Sequence, residues 1–190
     1  MGFKELIDSL LGNTSLPRAS LEKMFAISGA SITMQSTLGL KQSPVAGICF
    51  KPIDSSRYEL TKKEIEELLE FSTQETKSTF RLITDEFRFT WVILDDPDFE
   101  DLLAGIHLVS QTMIEKGLGD YLLCGVFRFG TENPVYWIYN FKRGLYYPFI
   151  PAPGKTRDNA TEFRIQSLLE RELPIEKELE KWYPLWGIPF

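Results

Sequence analysis

The chain has 190 residues, enough for one domain with a sizeable core, and its 43% hydrophobic and 25% charged residues are ordinary for a globular protein. Its 21 basic and 27 acidic residues leave a formal charge of −6, which argues against a broad nucleic-acid or anionic-membrane footprint, since either needs clustered positive charge. No run approaches transmembrane length and no signal peptide is visible, so a cytoplasmic chain is expected.

In chain order, Phe3, Leu6, Ile7, Leu10 and Leu11 share one face of a helix over residues 3–11, opposite Lys4, Glu5, Asp8 and Ser9. Gly12 and Asn13 stop it. The organisation expected is an amphipathic helix at 1–12, a flexible link, and a single α+β domain over 20–190. A short helix is expected from Leu21 to Ala26, then strands at Ser31–Leu38 and Val45–Lys51. Thr61 and Glu64 form a capping-box pattern ahead of Ile65, Leu68 and Leu69.

Phe80–Ile83 and Phe87–Leu94 read as a hairpin around Asp85-Glu86, with Phe87, Phe89, Trp91 and Ile93 forming one apolar face. Asp96-Pro97 is a helix start, an N-cap before a proline, and the helix runs to about Lys116 with Phe99, Leu103, Ile106 and Met113 as its stripe. Strands at Tyr121–Phe129, Val135–Phe141 and Leu145–Phe149 are separated by turns at Glu132-Asn133 and Arg143-Gly144. A helix over 159–171 and a last short helix presenting Ile175, Leu179 and Trp182 complete the chain. The order α-ββα-ββα-βββ-α-α predicts a mainly antiparallel sheet with helices packed on one face.

The chemistry-bearing patterns are few. His107 is the one histidine and lies beside an apolar helical stripe, and the two cysteines, Cys49 and Cys124, sit in apolar strands without zinc spacing. No G-x-S-x-G elbow occurs, and the acidic run Glu64, Glu66, Glu67, Glu70 falls on the polar side of a helix. Gly154-Lys155-Thr156 resembles the end of a phosphate loop. That motif needs glycine where Phe149 stands, and Pro148, Pro151 and Pro153 remove N–H groups such a loop requires. The residues therefore predict a non-enzymatic protein with no cofactor and no metal. Lys142 and Arg143 among Tyr139, Phe141, Tyr146 and Tyr147 could suit single-stranded nucleic acid, but the acidity of the chain favours a structural use.

The runs Lys142-Arg143-Gly144-Leu145-Tyr146-Tyr147-Pro148-Phe149 and Pro151-Ala152-Pro153-Gly154-Lys155-Thr156-Arg157-Asp158-Asn159 resemble the signature of the PspAB family of PspA-associated proteins. Leu173-Pro174-Ile175-Glu176 and Trp182-Tyr183-Pro184-Leu185-Trp186-Gly187 are similar too, as are Met1-Gly2-Phe3, Phe89-Thr90-Trp91 and Leu118 to Cys124. The resemblance implies linkage with PspA, the membrane-binding coat protein of the phage-shock envelope-stress response. It also implies companionship with an HtpX-like membrane protease, and supplies no catalytic residue. The expected role is an accessory or adaptor protein acting by protein contact, without nucleic acid and with peripheral membrane contact through partners. Phe3, Leu6 and Leu10 of the first helix and Trp182 and Trp186 of the tail are the candidate partner-binding residues. The other reading is a chaperone-like or small-ligand-binding α+β domain resembling type III secretion chaperones.

Overall fold

A computed structural model describes residues 21–53, 56–73 and 78–190. The expected helix of residues 3–11, with Phe3, Leu6 and Leu10, lies outside the described residues. The described elements run α1 (Ala26–Leu38), β1 (Gln42–Phe50), α2 (Ser56–Thr73), β2 (Thr79–Thr84), β3 (Thr90–Asp95), α3 (Phe99–Glu115), β4 (Leu122–Phe129), β5 (Val135–Asn140) and β6 (Leu145–Phe149). A two-stranded ribbon, β7 (Pro151–Ala152) and β8 (Thr156–Arg157), precedes α4 (Asn159–Leu169).

Six strands form one sheet in the order β2-β3-β1-β4-β5-β6, and every neighbouring pair is antiparallel. The α+β class and mainly antiparallel sheet match the sequence pattern. One element of the expected order is corrected: Ser31–Leu38 is the second half of α1, not a strand. Ile27, Ala30, Ser31 and Met34 are its buried positions, a spacing of helical period. Gly39 at φ 66° ends it, with its N–H bonded to Gln35 O and the Leu40 N–H to Met34 O, the paired bonds of a left-handed helix cap. Ile32 and Thr33, β-branched residues in the middle, imitate a strand only locally.

Three smaller boundaries also move. The α2 helix begins at Ser56, so Thr61 is a buried interior residue and not a cap. The cap of α3 is Asp98, which accepts from the Glu100 N–H at 2.9 Å, while Asp96 accepts from the Asp98 N–H at 2.6 Å and from the Ser78 hydroxyl. The two acidic side chains thus close successive turns, and the helix starts two residues later than Asp96-Pro97 suggests. The last expected helix shrinks to a single 3-10 turn, Leu179–Lys181, because Ile175 instead makes a parallel bridge to Tyr146 of β6.

Register divides the sheet into two faces. One carries Ala46, Ile48, Phe50, Val92, Leu94, Phe127, Trp137, Tyr139 and Tyr146. The α3 helix lies on it, with Phe99 against Phe127 and Phe129 at ring separations of 6.0 and 5.6 Å. The α1 and α2 helices pack beside α3 on the same side. The opposite face carries Gly47, Cys49, Trp91, Tyr136, Ile138, Tyr147 and Phe149, and the C-terminal segment closes it. Phe190 lies over Gly47 so closely that a Cβ there would sit 2.5 Å from its ring. Thr90 to Leu94 are consequently buried on both sides, whereas the sequence pattern suggested one apolar face.

Candidate functional site

The segment with the most specific side-chain geometry is residues 143–162, where the chain seals the outer edge of β6. Backbone groups at alternate positions, Tyr146, Pro148 and Ile150, point away from β5. The Tyr146 N–H bonds to Pro174 O and its carbonyl accepts from the Glu176 N–H, both at 2.8 Å. Pro148 has no N–H, and its carbonyl accepts from the Arg157 guanidinium at 3.1 Å. The Ile150 N–H donates to Glu162 Oε1 at 2.7 Å, and its carbonyl accepts from the Asp158 N–H at 3.0 Å.

Arg157 also donates to Glu162 Oε1 at 3.0 Å and to the Trp182 carbonyl, and its guanidinium lies 5.2 Å from the Phe149 ring centre. Glu162 is 1% exposed. Burial pushes its carboxyl above the usual range, with the Ile150 N–H and Arg157 opposing that shift. Asp158 caps α4 by accepting from the Thr161 hydroxyl and N–H, bonds that hold its carboxyl below the usual range. Gly154-Lys155-Thr156, resembling part of a phosphate loop in sequence, forms the turn and outgoing strand of the β7–β8 ribbon. Gly154 and Lys155 there take φ of 75° and 54°.

Of the candidate partner-binding residues, Trp182 is 5% exposed and its ring N–H donates to Glu176 O at 2.9 Å. That is the role of a residue closing the core. Trp186 is half-buried, its ring 5.1 Å from Phe149, and Phe163 of α4 lies exposed beside Trp182. Trp182 and Trp186 therefore belong to the same C-terminal closure, and Trp186 is the one that keeps an accessible side.

The helical side offers a different surface. Between α2 and α3 lies a groove of about 310 Å³, lined by Leu69 from α2, Leu94 from β3 and Leu102, Ala104 and Leu108 from α3. Gly105 sits where its missing Cβ would lie 2.6 Å from Leu94, so the glycine lets α3 approach the sheet below the groove. Asp96, Asp101, His107 and Ser78 supply its polar rim. Outside it, Phe25, Ile32, Leu60 and Phe71 are exposed, the last three at 70–73%. Sequence periodicity assigned Leu69 to a buried stripe and missed these exposed residues. Leu60 and Phe71 fall off the stripe of Tyr58, Thr61, Ile65 and Leu69, which is the signal that could have found them.

Three titratable groups, Asp96, Asp101 and His107, reach the rim of this groove. His107 packs its ring 5.0 Å from that of Phe25, and burial lowers its basicity. Cys49 and Cys124 stand opposite each other across β1 and β4 as free buried thiols, and burial pushes the Cys49 thiol well up. Among the described residues, no group of three or more His, Cys, Asp or Glu is placed to hold a metal ion, and no helix is long and apolar enough to cross a membrane.

The family model for PspA associated protein B matches residues 4–190, so the chain belongs to the PspAB family. No curated protein and no solved structure matches it.

Proposed function

We propose that this PspAB-family chain is a non-enzymatic accessory protein of the PspA-type membrane-stress response, acting in the cytoplasm by direct protein contact. The family name supports the link to PspA, and the helical layer supports the contact mode. The observation that carries the contact reading is the exposure of Ile32, Leu60 and Phe71 at 70–73%, on the helical side of the sheet, against 42–51% for Phe163, Leu168 and Leu179 on the C-terminal side. Large apolar side chains left in water mark a docking surface where they join into one patch. The ionisable groups Asp98, Asp158 and Glu162 point the same way, since they are engaged in caps and pairs.

In this reading the partner is a PspA-like protein, an HtpX-like membrane protease is a further one, and any membrane contact is peripheral and carried by partners. Phe3, Leu6 and Leu10 add to the contact, and Trp186 marks a second edge of it. The test is co-elution of the full chain with a purified PspA-like protein. Phe71→Ser and Leu60→Ser together should weaken binding at least about tenfold while each changes stability by less than about 0.5 kcal/mol, because both side chains are solvent-exposed. Undiminished binding by the double variant, or no binding by the parent chain, overturns the reading.

The groove favours one other function, that of a chaperone-like or small-ligand-binding domain, because its volume reaches the lower end of ligand pockets. A ligand-shifted mass retained through purification under native conditions would favour it.

A further inference from the structure

Cys49 and Cys124 are the chain's two cysteines, far apart in sequence, and the fold sets them side by side. Cys49 of β1 stands directly opposite Cys124 of β4 in an antiparallel register. The side chains of such a pair leave the same face of the sheet, with Cα atoms about 4.5 or 5.5 Å apart according to the place in the ladder. A disulfide spans Cα separations of about 4.4–6.8 Å, so either place admits the bond. A hydrogen bond joins the two side chains as they stand.

The ladder is irregular next to the pair. Phe50 is paired with Leu122, which leaves Leu123 as an extra residue on β4 beside Cys124. Bringing two sulfurs from contact to a covalent bond needs the strands to yield locally. A strand with an extra residue bends and twists there more readily than a regular one.

Burial protects the pair without opposing the bond. Cys49 and Cys124 are 3% and 2% exposed. Phe190 of the C-terminal closure lies over Gly47, two residues before Cys49, and 6.2 Å from the ring of Trp91, which faces Cys49 from β3. Burial first, then the hydrogen bond to Cys124 and the charge of Asp85, hold the Cys49 thiol well above its usual range, so its thiolate is scarce and exchange is slow. The two end states, a pair of thiols and a disulfide, are both uncharged, and apolar surroundings penalise neither. Burial therefore sets how fast the bond forms, and the register sets how far.

We propose that Cys49 and Cys124 form a reversible disulfide site, oxidised by a low-molecular-weight disulfide. The thiolate of one cysteine attacks a sulfur of the small disulfide, breaks its S–S bond and releases one small thiol. The thiolate of the other then attacks the protein sulfur of the mixed disulfide and releases the second. Two electrons pass from the protein thiols to the small disulfide, and the two protons end on the two released thiols. The new bond ties β1 to β4, the two central strands of the sheet. It closes the span that carries α2, β2, β3 and α3 into one covalent loop. A loop that long removes freedom from the unfolded chain, so the oxidised protein is the more stable form. The site stands apart from any PspA-linked role, and neither depends on the other.

The parent chain tests it, since no third cysteine competes. Full-length protein is brought to equilibrium with reduced and oxidised glutathione, quenched in acid, alkylated and measured by mass spectrometry. The glutathione ratio at which half of the chains carry an internal bond gives the effective concentration of one thiol at the other. It should be at least about tenfold higher for the folded chain than for the chain unfolded in urea. Equal values overturn the proposal, and so do mixed or inter-chain disulfides as the sole oxidised products. A tenfold preference corresponds to about 1.4 kcal/mol, so the oxidised chain should melt about 3–5 °C above the reduced one. A midpoint that does not rise overturns the proposal as well.

Moving one thiol along the same face separates the effect of register from the mere presence of two cysteines. Cys124→Ala with Val126→Cys places the second thiol opposite Gly47, diagonal to Cys49 at about 7–8 Å. Its effective concentration should fall at least about tenfold below that of the parent, because a disulfide needs Cβ atoms about 3.5–4.5 Å apart. An equal value overturns the assignment. The comparison of folded and unfolded parent chain holds whatever the stability of this variant.

Discussion

The edge of the sheet at β6 and the groove between α2 and α3 present opposite kinds of surface, one polar and one apolar. At β6 the unpartnered groups are polar. Each is met by one named donor or acceptor, from Pro174, Glu176, Arg157, Asp158 or Glu162. At the groove the surface is apolar, with Leu94, Leu102 and Leu108 along its walls. The contrast follows from cost: a buried unpaired backbone group is penalised steeply, so its site is closed within the fold, whereas an exposed apolar slot costs less and can wait for an occupant.

If the β6 closure is energetic and not decorative, Glu162→Ala should give the largest loss, about 3–5 kcal/mol, because it takes the counter-ion from the Arg157 guanidinium and the acceptor from the Ile150 N–H together. Glu162→Gln, which can still accept from Ile150, should lose clearly less. Urea unfolding of both variants reads the difference, and a loss below about 1 kcal/mol for the alanine would erase the contrast with the groove.

The C-terminal side is sharpened by Gly47→Val. Its new Cβ meets the Phe190 ring at 2.5 Å, so a loss of about 1–3 kcal/mol is expected from overpacking. Adding Phe190→Ala should restore part of that loss, and strict additivity of the two would mean that the ring does not rest there. A smaller effect is expected at the link between sheet and helices. Tyr146→Phe removes the hydroxyl that donates to the buried Met24 carbonyl, at a cost of about 1 kcal/mol.

The smallest effect tests the groove rim by pH. Burial lowers the basicity of His107 in the folded chain. The unfolded chain therefore binds the proton more readily, and the His107 contribution is present above the ordinary imidazole range and lost as pH falls through the folded value. The thermal midpoint should drop between about pH 7.5 and pH 5 by more in the parent chain than in His107→Gln. Identical drops would place His107 in an environment as wet as bulk solvent.

Local signals carried much of the architecture. The Arg143-Gly144 turn, with Gly144 at φ 63°, and the short apolar runs of β3, β5 and β6 are written in neighbouring residues, as is the α3 stripe of Phe99, Leu103, Ile106 and Met113. Ser31–Leu38 resembles a strand in sequence because the β-branched Ile32 and Thr33 mask the Ile27, Ala30, Ser31, Met34 spacing that faces the core. Arg157 and Glu162 were not recognisable as an edge closure, since their partners come from Pro148, Ile150 and Trp182. Pro148 within a strand was the available hint, as proline is tolerated where the N–H side faces away from the ladder. The groove depends on how far α2 stands from α3, a tertiary distance that no window of sequence contains. Trp182 belongs with it, because only the fold shows that its ring turns inward.

With β6 closed, the six-stranded sheet has one unpaired border among the described residues, at β2. Nothing among the described residues pairs with the outer side of Thr79–Thr84. Arg81 on that strand is paired with Asp95 of β3, placing charge on the border where another strand would add. A sheet with one receptive border can join another such border only once. Edge-to-edge association through this border would therefore end at a closed pair.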